Sequence, residues 1–299
     1  MSNVYVGGQA VIEGVMMQSK DKRAIAVRQS NGKITLKKSN IKSWINEKKI
    51  NKIPFIRGSF ILIETMIEGI KSLNFSSEFF MDDEQEDAFD RFIKKIFKDK
   101  ANDVIIGISL VLSLLLSVGI FILIPTAIGG IFSKIINNKF ILNLIEGIIR
   151  ISILFAYIVI ISKNSDIKRV FEYHGAEHKS IHCYESGLEL TVENARKFTT
   201  LHPRCGTNFL FIVMATSIIL FSFFGWPNPL IRIAMRILFI PIVAGISYEI
   251  IKFLGKYDNK LTKIVAYPGM MLQKFTTQEP DDEQLEVALT ALKAVINEK

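Results

Sequence analysis

Histidine and cysteine are scarce in this chain: among 299 residues there are four of the first and two of the second. The N-terminus lacks a charged segment leading into a short apolar run and a cleavage site, so no signal peptide is expected and this region should stay on the side where it is made. The glycine-rich stretch GGQAVIEGVMM, Gly7 to Met17, lacks both a Walker lysine and GxGxxG spacing, which argues against a nucleotide loop. Its glycines permit positive φ or a close backbone approach instead. No internal repeat and no low-complexity linker is present.

Apolar residues are abundant, at 49% of the chain. A membrane-spanning helix needs about 20 mostly apolar residues. Four stretches qualify: Val104 to Ile124, Phe140 to Ser162, Asn208 to Gly225 and Leu230 to Ile251, the last two joined by the WPNP turn at Trp226 to Pro229. Lysine and arginine are unevenly spread, with 18 before the first stretch, seven in residues 163–207 and seven from Lys252 onward. The 125–139 connection holds only Lys134 and Lys139, and the WPNP turn holds none. Positive residues mark the cytosolic side, so both termini and the 163–207 loop are expected in the cytoplasm. The net charge of +8 then suits anionic lipid headgroups and needs no nucleic acid to explain it. In that compartment Cys183 and Cys205 read as thiols or ligands rather than as a disulfide.

Charges inside a membrane are costly and are usually paired or functional. Glu146, Arg150, Arg232 and Arg236 are therefore conspicuous, and similar depth predicts an interhelical salt bridge between Glu146 and Arg236. Pro241 is expected to kink the fourth span. Outside the spans, Arg23 to Lys38 holds two β-rich runs around Asn31 and Gly32, which predicts a hairpin. Ser59 to Leu73 predicts an amphipathic helix on the membrane or against the bundle, with Lys71 available to offset Glu64 and Glu68; the stripe Phe89, Phe92, Ile93, Ile96 and Phe97 predicts another. Near the C-terminus, Thr276 or Thr277 predicts a helix cap, Pro280 a first turn, and Leu285, Leu289, Leu292 and Ile296 a packing stripe.

Every histidine and cysteine lies in one 32-residue window, His174 to Cys205. In EYHGAEHKSIHCYE, Glu172 to Glu185, His174 and His178 share a helix face and can grip one ion. His182 would lie roughly 12 Å from His174 along a straight helix, so three ligands for one metal require a bend or an end, for which Gly175 and Gly187 leave room. The five residues HGAEH resemble the H-x-x-E-H signature of inverted zincins, and that resemblance implies His174 and His178 as ligands with Glu177 as proton acceptor. In LHPRCGTNF, Leu201 to Phe209, His202 and Cys205 stand three apart in a turn held by Pro203 and Gly206. Mixed nitrogen, sulfur and oxygen donors point to a divalent metal, zinc first, with iron or manganese behind. Two readings compete with this: ordinary hydrogen-bonded histidines, and Cys205 as a nucleophile with His202 as its base.

GGQAVIEGVMM, EYHGAEHKSIHCYE, LTVENARKF followed by LHPRCGTNFLF, and TTQEPDDEQLEVAL together resemble the YqhQ-like family, bacterial proteins of unknown function. The resemblance covers nearly the whole chain and implies an integral membrane, metal-dependent protein; it supplies no substrate. Co-occurrence of the blocks suggests Glu13 as a further carboxylate for the metal, against the alternative of a buried hydrogen-bonded group.

The expected fold is an integral membrane α-helical bundle of about four transmembrane helices with a cytosolic α+β domain. Residues 1–100 supply its hairpin and amphipathic helices, 101–162 the first two spans, 163–207 the His/Cys loop, 208–251 the other two spans, and 252–299 a C-terminal helical region. The expected location is the bacterial inner membrane, with lipid as the contact partner and a homo-oligomer left open. The expected function is a metal-dependent hydrolase acting at the membrane surface. The alternatives are an assembly or regulatory factor with a structural metal and, third, a transporter.

Overall fold

The computed structural model describes residues 5–48, 50–80, 93, 95–97, 101–257 and 259–296. The chain divides into two units: Met1–Phe80, Tyr157–Thr216 and Pro241–Lys299 in one, Met81–Ala156 and Ser217–Ile240 in the other. The acidic run at 82–90 and most of the interfacial helix expected at 89–98 lie outside the described residues.

In the first unit, strands β1 (Gly7–Val11), β2 (Gly14–Gln18), β3 (Lys22–Arg28) and β4 (Ile34–Asn40) form an antiparallel meander in that order. The hairpin expected at Arg23 to Lys38 is β3–β4: Arg28 pairs with Ile34, Lys33 N–H donates to Asn31 Oδ1 at 2.9 Å, and Gly32 takes a φ of 81°. The glycine-rich stretch is a second hairpin. Val11 pairs with Gly14, leaving Ile12 and Glu13 as a two-residue turn in which Glu13, not a glycine, carries the positive φ of 50°. Side chains alternate across a strand, so Val15, Met17, Ala24 and Ala26 join one core while Val11, Met16, Ile25 and Val27 join another with Phe75, Phe79 and Phe80. Both faces of β2 and β3 are thus covered.

The helices are α1 (Trp44–Glu47), α2 (Ile56–Ser77), α3 (Ala101–Val118), α4 (Ile124–Phe132), α5 (Lys139–Ile161), α6 (Ser165–Glu185), α7 (Val192–Arg196), α8 (Gly206–Ser222), α9 (Pro229–Leu238), α10 (Ile240–Lys256), α11 (Lys260–Thr276) and α12 (Asp282–Ile296). The expected helix at Ser59 to Leu73 is part of α2, which binds α10 through Arg57 Nε to Glu249 Oε1 at 2.7 Å; Lys71 offsets Glu68 at 2.8 Å. Leu285, Leu289 and Leu292 of α12 are buried against the sheet, as the stripe predicts, each such side chain contributing about 1.5–3 kcal/mol. The cap differs from expectation. Asp281 Oδ1 accepts from Gln284 N–H at 2.8 Å and Gln284 Oε1 accepts from Asp281 N–H at 3.0 Å, a reciprocal capping pair. Pro280 therefore precedes the cap, while Thr276 and Thr277 end α11.

Helix α6 begins at Asn164, whose Oδ1 accepts from Asp166 and Ile167 N–H at 2.9 and 3.2 Å. It continues helically past Gly175, so that glycine provides no irregularity. A Cβ there would lie 2.0 Å from the Gln278 carbonyl oxygen, which makes Gly175 the place where the segment entering α12 crosses α6 closely. Gly175→Ala should destabilise the protein by about 1–3 kcal/mol through overpacking, read as a lower melting temperature; an unchanged value would contradict this packing.

In the second unit, α3 runs through a π-helical segment, Gly119–Leu123, into α4. Arg150 of α5 donates from Nε to the Phe121 carbonyl there at 3.0 Å. The expected Glu146–Arg236 ion pair is present, and it is part of a larger cluster: Arg232 Nη1 lies 3.1 Å from Glu146 Oε2, Thr126 Oγ1 donates to Glu146 Oε1 at 3.0 Å, and Arg232 stacks on Trp226 at 3.8 Å.

Among the described residues two helical stretches are long and apolar enough to cross a membrane, Val104–Phe132 and Lys139–Ile161; a third is added only if the bent pair α9 and α10 counts as one span. This corrects the expectation of four. Helix α8 has 17 residues, about 25 Å at 1.5 Å per residue and short of the roughly 30 Å of a hydrocarbon core. The fourth apolar run breaks at Phe239, just ahead of Pro241, where a kink was expected.

Candidate metal centre

Two residues of α6 and the one residue ahead of α8 make the centre. His174, His178 and Cys205 each offer a ligand atom, and the three atoms lie within 4.8 Å of one another. His174 Nδ1 faces the Thr276 carbonyl at 2.8 Å, and His178 Nδ1 faces the Thr200 carbonyl. A carbonyl only accepts, so both rings carry their proton on Nδ1 and turn the Nε2 lone pair inward. His174 Nε2 is 3.2 Å from Cys205 Sγ. This is how metal-ligating imidazoles are held, the outer nitrogen fixed by an acceptor that sets tautomer and ring angle.

Burial shifts His178, His202, His182 and Cys205. It pushes His178 down to about 2, with His174 adding to the effect, and His202 down to about 4. His182 is lowered too, by burial first. His178, His182 and His202 are therefore neutral, the form that binds a metal. Burial pushes the Cys205 thiol up to about 11, with Glu177 adding to it and Thr207 opposing, so a metal would have to displace its proton.

Glu177 lies between the two ligands, its Oε2 3.6 Å from His178 Nε2 and 3.9 Å from His174 Nε2. Burial pushes its carboxyl up to about 7, against the lowering effects of His174 and the Gly8 N–H. Gly8 can make that contact because it has no side chain: a Cβ would fall 2.8 Å from Glu177 Cγ. The N-terminal block thus reaches the centre through Gly8. Glu13 does not join it; its carboxylate is held by Arg169, with Tyr173 Oη at 3.3 Å, on the preceding turns of α6.

The other two histidines form a separate group, His182, Glu185 and His202, also within 4.8 Å. Helix α6 stays helical to Glu185, so His182 cannot turn back to the first group, as the spacing implied. The hydrogen bonding differs as well. His202 Nδ1 accepts from Arg204 N–H at 3.3 Å, which puts its proton on Nε2, 3.6 Å from Glu185 Oε2. Glu185 is already paired with the Arg204 guanidinium, and His182 Nε2 donates to the Leu201 carbonyl at 2.9 Å. This arrangement ties the 197–205 segment to α6, with the His202 Nδ1 lone pair taken by the Arg204 N–H and the Glu185 charge paired with the Arg204 guanidinium. Cys205 and His202 are also not arranged as nucleophile and base, since the thiol faces His174.

Sequence reasoning missed Gln273 of α11. Its buried amide brackets His202, accepting from the backbone N–H and donating to the carbonyl, each at 2.8 Å. The only signal was a lone amide in the mostly apolar stretch YPGMMLQKF. Glu185 was also missed, although it stands three residues after His182 in the histidine stretch. The first group faces a cavity of about 470 Å³, whose wall includes Tyr5, Gly7, Gly8 and Lys20 opposite His174, Glu177, His178 and Cys205.

Residues 53–298 match the model of a family described as "Protein of unknown function (DUF1385)". The chain belongs to this family. The stretch matched to DUF1385 contains every histidine and cysteine, while β1 to β4 precede it. The chain is similar to the "Uncharacterized protein YqhQ" of Bacillus subtilis (strain 168), 36% identical over 291 residues, covering 97% of this chain and 92% of that protein. No solved structure matches.

Proposed function

We propose that this DUF1385 protein is a multi-pass protein of the bacterial cytoplasmic membrane that holds a divalent metal, zinc first, at His174, His178 and Cys205 and hydrolyses an amide, ester or phosphoester at the membrane surface. The observation that carries the reading is the pair of Nδ1 to carbonyl contacts, which aim two Nε2 lone pairs and one thiol at a common point on the wall of a cavity. Three protein ligands leave a position open, the mark of a catalytic rather than a structural zinc site. When bound, the metal would supply Lewis acidity and a more acidic water.

The chain's own residues supply the rest. Glu177 faces the same point and is the group to take a proton from attacking water and return it to the leaving group; a carboxyl pushed up to about 7 is matched to that exchange near neutrality. The Gly8 N–H keeps it oriented. Lysine and arginine asymmetry supports cytosolic termini and a cytosolic centre.

Glu177→Gln tests the role directly. The variant should retain bound metal yet hydrolyse chromogenic amide, ester and phosphodiester probes about 10²–10⁴-fold more slowly than the unaltered protein. Equal rates for the two proteins on whichever probe is cleaved, or no cleavage of any probe by the metal-loaded protein, would overturn the hydrolase reading.

A further inference from the structure

Helix α11 is amphipathic in the reverse sense. The residues it buries are small or polar, Thr262, Ala266, Gly269 and Gln273, while Leu261, Ile264 and Tyr267 remain 63, 59 and 56% exposed. At 100° per residue, Leu261, Ile264, Val265 and Pro268 fall on one outward arc. Lys260, Lys263 and Lys274, all exposed, fall with Tyr267 along one flank of it, and α11 contains no acidic residue. A helix in contact with water alone would present the opposite pattern.

We infer that the outward face of α11 lies in the interface of an anionic lipid bilayer, with its lysines at headgroup level. The chemistry selects that occupant. An apolar arc bordered by lysines and an interfacial tyrosine suits the boundary between headgroups and acyl chains. A second copy of the chain placed on the same face would bring like-charged flanks together. The preceding helix ends in the same character, with Phe253 and Tyr257 exposed and Lys256 Nζ 5.3 Å from the Tyr257 ring. The other end of α11 reaches the metal centre through the Thr276 carbonyl on His174, and its Gln273 amide holds the neighbouring His202 backbone. One helix thereby joins the lipid surface to the site, which fits a substrate met at that surface. The inference rests on the proposed membrane reading.

Nitroxide labels test it in the full-length protein, reconstituted into vesicles of phosphatidylglycerol and phosphatidylcholine. Ile264→Cys carries the test label, Leu115→Cys of α3 the reference for a spanning segment, and Lys293→Cys of α12 the reference for water. Cys183 and Cys205 are buried, and the unsubstituted protein gives the blank. Accessibility to oxygen, relative to a water-soluble nickel chelate, should be several-fold higher at Ile264 than at Lys293 and close to that at Leu115. It should fall at Ile264 alone in vesicles of phosphatidylcholine only. A high ratio at Leu115 with a water-like ratio at Ile264 overturns the inference and leaves the membrane reading standing. Low accessibility to both reagents at Ile264 means a protein cover and also overturns it. A ratio at Ile264 that ignores lipid charge overturns the role given to the lysines. Water-like ratios at both Ile264 and Leu115 overturn the membrane reading and the inference with it.

Discussion

His178→Ala empties the metal centre while the sheet and its cores stay folded. The variant removes one of three ligands and leaves His174 and Cys205, too few to hold zinc against water and buffer. Metal content measured by elemental analysis should fall from about one per chain to near zero in the variant. The loss is not expected to unfold the unit. It opens a side-chain-sized gap and leaves the Thr200 carbonyl without its imidazole partner, together costing about 1–3 kcal/mol. His182→Ala is the matching control, because the unbroken helix α6 keeps it a full turn beyond His178 and outside the first group; that variant should keep its metal. Loss of metal from both variants alike would contradict the division of the histidines into two groups.

Glu146→Ala should be the most damaging single change to the second unit. Its carboxylate is 1% exposed and receives Arg232, Arg236 and Thr126, with Arg150 Nη2 at 3.7 Å. Removing it leaves buried guanidinium groups facing one another without their anion, which costs about 3–5 kcal/mol. The expected result is a melting temperature in detergent lower by about 10 °C. Because the penalty is uncompensated charge, adding Arg232→Met and Arg236→Leu to Glu146→Ala should recover most of it. A triple variant no more stable than Glu146→Ala would show that the cluster acts by something other than charge pairing. The pairing of Glu146 with Arg150, Arg232 and Arg236 also weakens the transporter reading, since the carboxylate is committed to these arginines.

What the sequence made legible was what chemistry makes rare. Histidine and cysteine confined to 32 residues marked the centre, and charges inside apolar runs marked the Glu146 cluster, because each is expensive unless used. Asn31 and Gly32 marked a hairpin through local turn preference. The stripe Leu285, Leu289 and Leu292 marked a buried helix face through its period. In each case the signal lay in neighbouring residues or in a single residue's cost.

The remainder depended on contacts distant in sequence. Assigning His178 to one group and His202 to the other rests on where the Thr200 carbonyl and the Arg204 N–H fall, which follows from the path of residues 197–205. Glu13 was the attractive carboxylate in GGQAVIEGVMM, yet the residue that serves the centre is Gly8, through a backbone N–H that no side-chain pattern advertises. The two-residue turn puts Glu13 beyond the strand end, where Arg169 captures it. Gln273 arrives from a helix 71 residues away from His202. Likewise, hydropathy identified four apolar runs but not that one would end after 17 helical residues and another would break at Phe239.

The central claim is a three-ligand metal centre with one open position. X-ray absorption at the zinc edge of the zinc-loaded protein reads it most directly. The expected spectrum has two nitrogen scatterers at about 2.0–2.1 Å, one sulfur at about 2.3 Å and one oxygen from solvent. A shell without sulfur, or one closed by a third imidazole such as His202, would contradict it.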